Sequence, residues 1–225
     1  ALLIAFAGIA SRVLGFLRDR ILASQFGAGD VLDAYYAAFR VPDFIYGFLV
    51  LGALGAAFTP VFTELLVENK KEEAWKLISG LLHSVLFSVG VFSVLGIIFA
   101  PLLISWITPG FGADKQAMVA SLARVMFLSP LLLGASAVFG GALVSFKQFV
   151  AYSLAPILYN IGIICGALFF VPLMGNSGLA WGVVLGSFLH MFVQYPSLRD
   201  LGFRFRPHFF GFWKDEAVKR VVKLM

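Results

Sequence analysis

Four long stretches of this sequence contain no Asp, Glu, Lys or Arg. They cover residues 44–63, 77–113, 125–146 and 148–198. A helix needs about 20 mostly apolar residues to cross the roughly 30 Å hydrocarbon core of a bilayer. The last stretch is divided by the turn-forming sequence GNSG at residues 175–178, and each half is long enough to cross. These stretches therefore predict five membrane spans.

The composition excludes a typical water-soluble domain. Hydrophobic residues make up 60% of the 225 residues and charged residues only 13%, whereas soluble domains are roughly 45–50% apolar and about 25% charged. The single cysteine, Cys165, has no His or Cys partner at metal-ligand spacing, so we predict neither a disulfide nor a metal site. The sequence therefore predicts an integral membrane protein without a cofactor.

A sixth span is predicted at the start of the chain, where a few charged residues interrupt an apolar helix. The fold class is then an all-α integral membrane protein, with a bundle of six transmembrane helices over residues 1–201. The predicted spans are about 1–26, 31–66, 77–100, 117–146, 150–174 and 179–198. Residues 101–108 are predicted to form a short interfacial segment after the third span. Residues 202–225 mix aromatic and basic side chains, which is typical of a segment at an anionic membrane surface that leads to a further helix.

The basic residues between the spans predict the orientation. With both termini in the cytoplasm, eleven basic residues fall on the cytoplasmic side and only Lys115 falls outside. The positive-inside rule therefore places both ends of the chain in the cytoplasm. This distribution also accounts for the formal charge of +5, so the charge gives no reason to expect a nucleic-acid partner.

Ionisable residues in the first span form the main candidate site. A charged side chain at the centre of a membrane helix costs about 2.5–3.5 kcal/mol on insertion scales. Arg12 and Asp19 share a face with two glycines, and Arg18 lies on the adjacent strip. This pattern predicts a cation-lined cavity wall for an anionic group such as phosphate, with Asp19 orienting an arginine. The alternative is that Arg18, Asp19 and Arg20 lie at the membrane edge and extend toward water.

The second span adds Asp33, Arg40 and Asp43 around a proline. Asp33 and Arg40 are seven residues apart, so both can face the same cavity. An ordinary ion pair between these two side chains near the outer headgroups is the alternative. Arg124 and Asn160 are lone polar residues in later spans, and we predict that each forms a hydrogen bond between helices.

No motif in the sequence indicates an enzyme. It contains no Ser-His-Asp set, HExxH pair or Walker A loop, and no pair of carboxylates at a catalytic spacing. His83 and His190 lie in predicted spans, where a histidine can relay protons. We interpret each of them as an ordinary hydrogen-bonded side chain.

Several short motifs occur in an order that is specific to one family. They are SRVLGFLRD at 11–19, FG at 26–27, LDAYYAAFRVP at 32–42, GAxxxAFTP at 52–60, TPGF at 108–111, LAPxLYN at 154–160, LAWG at 179–182 and QYP at 194–196. The chain resembles the N-terminal part of the MurJ/MviN family, the lipid II flippases of bacterial peptidoglycan synthesis in the MOP exporter superfamily. The resemblance implies that the chain is the first of two six-helix lobes.

The resemblance also implies a transporter of the bacterial cytoplasmic (inner) membrane that works by alternating access. Two lobes of one parent chain rock about a central cationic cavity, which takes up lipid II on the cytoplasmic side and releases it outside. Arg12 and Arg18 match family arginines of that cavity, Asp19 matches the acidic residue beside the second, and Asp33 matches the DA motif. With Arg40 they form the predicted substrate-binding set. The implied partners are lipid II, membrane lipids and the C-terminal lobe.

The sequence departs from the family pattern in the second span. Many members carry a basic pair followed by an acidic residue before the GA motif, where this chain has Tyr46, Gly47 and then Leu51. The change removes charge from the implied cavity. Two alternatives therefore stay open, namely export of another lipid-linked saccharide or small molecule, and a transport-inactive scaffold or fragment.

Overall fold

The structure is a computed structural model that describes residues 2–205, apart from the side chains at positions 3 and 51–57. Within this part every regular element is a helix, which confirms the all-helical prediction. The α-helices, numbered in chain order, are α1 (Leu2–Phe26), α2 (Asp30–Tyr46), α3 (Gly52–Val67), α4 (Lys71–Ile107), α5 (Ala113–Met126), α6 (Ser129–Ser145), α7 (Phe149–Cys165), α8 (Val171–Met174), α9 (Ser177–Phe192) and α10 (Tyr195–Asp200). The π-helical segments Gly47–Leu51 and Gly166–Phe170 continue α2 and α7. The surface segment predicted at 202–225 lies almost entirely outside the described residues.

Four helical stretches of the described chain are long and apolar enough to cross a membrane. They are Lys71–Ile107, Ala113–Ser145, Phe149–Met174 and Ser177–Asp200. Only 28% of the most apolar part of α4 is buried inside the protein, and large side chains such as Phe87, Ile98 and Trp106 face outward. Soluble monomers rarely expose apolar surfaces of this extent. The outer face of the bundle is therefore suited to lipid.

The helix α4 extends beyond the predicted span at both ends and continues through Pro101 to Ile107. Residues 101–107 therefore prolong this helix and do not form a separate segment. A proline inside a helix has no N–H to donate to the carbonyl four residues earlier, here that of Ile97. Arg124 of α5 donates its Nε to the Ile97 carbonyl oxygen at 3.3 Å. This contact replaces the missing backbone donor, and it confirms the hydrogen bond between helices predicted for Arg124.

The turn between α1 and α2 is set by a glycine and by two acidic residues. Gly27 has a φ of +64°, a conformation that costs glycine little and other residues more. Its N–H donates to the Ala23 carbonyl at 2.9 Å, which closes the end of α1. Asp30 and Asp33 lie in the first turn of α2, where negative charge interacts favourably with the helix dipole.

Helices α7 and α9 pack backbone to backbone through glycines. A Cβ added to Gly162 would lie 2.3 Å from Gly186 Cα, and one added to Gly166 would lie 2.3 Å from Gly182 Cα. Glycines spaced four residues apart form a groove along one helix face, and such grooves let two membrane helices approach closely. This contact holds α7, and with it Asn160, at a fixed distance from α9.

The two ends of the bundle are distinguished by their side chains. At one end, here called the Trp75 end, the Trp75 ring lies 5.3 Å from the Phe146 ring and 5.6 Å from the Phe203 ring. At the opposite Lys115 end, Lys115 Nζ lies 2.8 Å from Asp30 Oδ1 and 2.6 Å from Asp33 Oδ2. Successive helices run between these two ends.

Replacing Arg124 with Met tests the role of its contact with the Ile97 carbonyl. We expect Arg124→Met to lower the free energy of unfolding by about 1–2 kcal/mol, because the Ile97 carbonyl, which has no backbone donor, loses its charged donor. In a Pro101→Ala background, where a backbone N–H is restored, the same substitution should cost less. Thermal unfolding of the four proteins in detergent measures this coupling, and equal losses in both backgrounds would contradict the assignment.

Substituting Gly182 tests the close approach of α7 and α9. Gly182→Ala places a methyl group 2.6 Å from Gly166 Cα, so we expect a loss of about 1–3 kcal/mol in the free energy of unfolding. Gly8→Ala is the matched control, because a Cβ there meets no atom within 4 Å. The packing argument fails if both variants melt at the temperature of the wild type.

Candidate functional site

Arg18 on α1 is held by side chains from two helices. Its Nη1 donates a hydrogen bond to Asn160 Oδ1 on α7 at 3.0 Å, and its Nε and Nη2 each lie 2.9 Å from Asp19 Oδ1. The Arg18 side chain is 25% exposed and that of Asp19 is 51% exposed. A guanidinium group carries five N–H donors, and these contacts use three of them. Arg18 is thus fixed in orientation and retains donors for a ligand.

Asn160 joins α7 to α1 and is buried. Its Nδ2 donates to the Pro156 carbonyl at 3.0 Å and lies 3.4 Å from both the carbonyl and the Oγ of Ser11. A Cβ on Gly15 would lie 3.8 Å from Asn160 Oδ1, so the small residue on α1 leaves room for the amide. The hydrogen bond between helices that was predicted for Asn160 is confirmed.

A pocket of about 370 Å³ opens beside Arg18. Its walls come from three helices, with α1 and α7 on one side and α2 on the other. The residues that line it are Arg18, Tyr35, Tyr36, Phe39, Asp43 and Tyr159. Ligand pockets in proteins usually measure about 300–1,000 Å³ and combine aromatic walls with a few polar groups. The pocket therefore has the size and chemistry of a binding site for a small polar group.

The aromatic side chains of α2 shape one wall of this pocket. The Tyr35 ring is buried and packs edge-on against the rings of Tyr36 at 5.4 Å and Phe39 at 5.0 Å. Such edge-to-face pairs stabilise the orientation of each ring. Tyr36 is 48% exposed, so one part of its ring stays accessible to a ligand. Tyr35 therefore acts as a rigid support for Tyr36 and Phe39.

The structure brings together only part of the predicted substrate-binding set. Arg18 and Asp19 are paired beside the pocket, whereas Arg12 and Arg40 are exposed and do not line it. Arg12 precedes Arg18 by six residues, which corresponds to about 9 Å along the helix. Arg12 makes no hydrogen bond or ion pair with another residue in the described part of the chain.

Asp33 lies at the Lys115 end rather than in the pocket. Its Oδ2 accepts a 2.6 Å hydrogen bond from Lys115 Nζ, and Asp30 contacts the same nitrogen at 2.8 Å. The Lys115 ammonium also lies 4.1 Å from the centre of the Phe111 ring, a favourable cation–π geometry. The partner of Asp33 among the described residues is therefore Lys115 and not Arg40. This contact ties the start of α2 to the start of α5.

The predicted substrate-binding set contains none of the aromatic residues of the pocket, and Asp43, although noted in the second span, is not in that set. Tyr36, Phe39 and Asp43 are separated by three and four residues, the spacing of one helix face. A search of α2 for neighbouring aromatic and acidic residues on one face would have found them. Tyr159 has no comparable signal, because its position depends on how α7 packs against α1.

The two histidines in the predicted spans, His83 and His190, have hydrogen-bond partners in the described chain. His190 Nδ1 lies 2.7 Å from Ser136 Oγ, and His83 Nδ1 lies 2.6 Å from the Ser79 carbonyl oxygen. In residues 2–205 no three His, Cys, Asp or Glu side chains are grouped as a metal site would require. At the Trp75 end, the hydrogen bond that Lys70 donates to the Glu68 carboxylate raises the pKa of Lys70 above its ordinary value.

The long apolar helices, together with the polar pocket between α1, α2 and α7, define a multi-pass helical membrane protein with the kind of polar site found in membrane transporters. The family model described as lipid II flippase MurJ matches residues 22–225. The chain therefore belongs to the MurJ lipid II flippase family. This is a family of transporters and not of enzymes, as expected from the missing catalytic motifs.

Individual relatives match nearly the whole chain. It is 30% identical over 195 residues to the lipid II flippase MurJ of Burkholderia cenocepacia, which covers 85% of this chain and 38% of the relative. It is 33% identical over 230 residues to the probable lipid II flippase MurJ of Rhizobium tropici, which covers 97% of this chain and 42% of the relative. The chain thus spans about two fifths of the length of these curated relatives.

A solved structure shows the same fold. The lipid II flippase MurJ in an inward closed conformation matches with a TM-score of 0.74 at 24% identity, and the match covers 100% of this chain and 48% of that one. The described helices therefore have the fold of half of that chain.

Removing the Asn160 amide tests whether it positions Arg18. We expect Asn160→Ala to lower the free energy of unfolding by about 1–3 kcal/mol, because the Arg18 guanidinium loses its acceptor and the contact with Ser11 is also lost. Asn176→Ala is the control, because the described contact of that amide is a long one of 3.9 Å to Met118 Sδ. Thermal unfolding in detergent compares the two, and equal stability of both variants would contradict the positioning role.

Proposed function

We propose that this chain forms the first lobe of a flippase that carries lipid II from the cytoplasmic to the outer leaflet of the bacterial inner membrane. The observation that carries the proposal is the guanidinium of Arg18, held by Asn160 and Asp19 at the wall of a pocket between α1, α2 and α7. Arg12, exposed on the same helix, supplies a second cation. Together the two arginines bind the anionic headgroup, as expected of a cationic cavity.

The cost of charge in a membrane supports a binding role for these arginines. An arginine within a membrane helix is unfavourable by several kcal/mol unless it faces polar groups or water. Asn160 and Asp19 satisfy part of the Arg18 guanidinium and hold it in place. A phosphate oxygen is a strong acceptor for the donors that remain.

The proposed topology has six spans with both termini in the cytoplasm. The Trp75 end is then cytoplasmic and carries Lys70, Lys71 and Lys76, while Lys115 marks the outer end. This placement follows the excess of basic residues on one side. Lys71 Nζ also lies 5.9 Å from the ring centres of Trp75 and Phe146, which suits a membrane interface.

Transport by alternating access requires a second lobe, since one helical bundle must move against another around the site. We propose that the C-terminal lobe of the same parent chain faces α1 and α2, and that the two lobes alternate between openings to either side. The exposed apolar surfaces contact membrane lipids, and no nucleic acid is involved. Asp33 and Arg40 act at the rim of the cavity in this proposal, with Asp33 held by Lys115.

A second candidate function is the export of another lipid-linked saccharide. The departure in the second helix favours it, since Tyr46, Gly47 and Leu51 stand where many family members carry two basic residues and an acidic one. Fewer charges in the cavity suit a headgroup with less negative charge.

Removing the two arginines tests the proposal. In the protein expressed at its full natural length, we expect the Arg12→Ala/Arg18→Ala double variant to lose retention of lipid II and undecaprenyl pyrophosphate, as measured by native mass spectrometry. Each single variant should abolish flipping while the protein stays folded, with Arg18→Ala destabilised by about 1–3 kcal/mol because it loses the same hydrogen bond as Asn160→Ala. Arg20→Ala is the matched control, because Arg20 lies on the face of α1 opposite Arg18 and does not line the pocket.

Two results would contradict the proposal. Full flipping activity in both single variants would remove the arginines from the site. Retention of neither lipid above a neutral phospholipid by the wild type would leave the family fold without this substrate, and it would favour the second candidate function.

A further inference from the structure

The lining of the pocket beside Arg18 has no net positive charge. It contains one cation, Arg18, which is already paired with Asp19, and one carboxylate, that of Asp43. No cation from α2 compensates it, because Arg40 does not line the pocket. A pyrophosphate group inside this space would meet an unpaired carboxylate, and like charges at close range repel strongly in a medium of low dielectric constant. The interior of the pocket is therefore poorly suited to phosphate.

We infer that this pocket holds a sugar ring of the lipid-linked substrate, with the pyrophosphate bound outside it by Arg12 and the free edge of Arg18. The inference rests on the proposed function and assigns a part of the headgroup to each part of the site. Asp43 is the residue that selects for the saccharide.

The chemistry of Asp43 fits hydroxyl groups. An ionised carboxylate only accepts hydrogen bonds, and its two oxygens can accept from two neighbouring hydroxyls. Within residues 2–205 no side chain donates a hydrogen bond to Asp43 or forms an ion pair with it. An isolated carboxylate in a membrane protein needs donors. A sugar supplies such donors, whereas a phosphate ester does not.

The aromatic wall fits the remaining surface of a sugar ring. A pyranose has an apolar face of C–H groups that packs against aromatic rings in the same way as other apolar groups. Tyr36 is half exposed in the pocket and Phe39 lies beside it, both fixed by the buried Tyr35. The phenol of Tyr159 on the opposite helix adds a donor and acceptor. One apolar wall and several polar groups thus surround the same space.

The test compares two lipids that differ in the sugar. Lipid II and undecaprenyl pyrophosphate are titrated by native mass spectrometry against the full-length protein and its Asp43→Asn variant. We expect Asp43→Asn to weaken lipid II binding by about tenfold, because hydrogen bonds to a charged acceptor are lost. Binding of undecaprenyl pyrophosphate should change by less than about twofold. Asp114→Asn, which removes an exposed carboxylate outside the pocket, should change neither.

A second pair of variants tests the aromatic wall. Tyr36→Phe keeps the ring and should retain lipid II binding, whereas Tyr36→Leu removes the ring and should weaken lipid II selectively. The inference is overturned if Asp43→Asn and Tyr36→Leu leave lipid II binding unchanged, or if they alter both lipids equally. The proposed function fails separately, and the inference with it, if the wild type retains neither lipid.

Discussion

An arginine can remain inside an apolar helical bundle only if its charge is balanced and its N–H groups have acceptors. The contact between Arg18 and Asn160 meets this requirement, and it joins α1 to α7. Asp19 balances the charge from the same helix. Because the pocket opens directly beside this contact, the position of Tyr159 and the width of the space both depend on how α7 meets α1.

That position depends in turn on the glycines behind it. Gly162 and Gly166 bring the α7 backbone against that of α9, so the helix that carries Asn160 cannot shift along or away from α9 without losing this packing. Polar contacts on one face of α7 and backbone contacts on the other therefore act on the same helix. Between α4 and α5, the hydrogen bond from Arg124 to the Ile97 carbonyl lets α4 continue through Pro101.

The sequence predicts the helices and part of the site, and the reasons for each limit are physical. Apolar stretches define where helices lie, because the length of a span is set by the bilayer. Arg18 and Asp19 could be paired from sequence, since adjacent charges on one helix lie close together. The Asp33 contact with Lys115 could not, because 82 residues separate the two and only packing brings them together. The spacing of Tyr36 and Asp43 places both on one face of α2, so their proximity could be predicted. A search for charged residues alone overlooks the tyrosine.

The departure of this chain from its family pattern and the composition of the pocket point in the same direction. Where many relatives place cations after the second-helix proline, this chain has Tyr46 and Gly47, and the nearby Asp43 lines a space walled by aromatic rings. Packing and directed hydrogen bonds then contribute the binding energy that cations would contribute through charge. Such contacts discriminate by shape and by the position of hydroxyls, so selectivity for the saccharide can rise while attraction for the phosphates falls. In the proposed function, the two arginines of α1 bind the pyrophosphate outside the pocket.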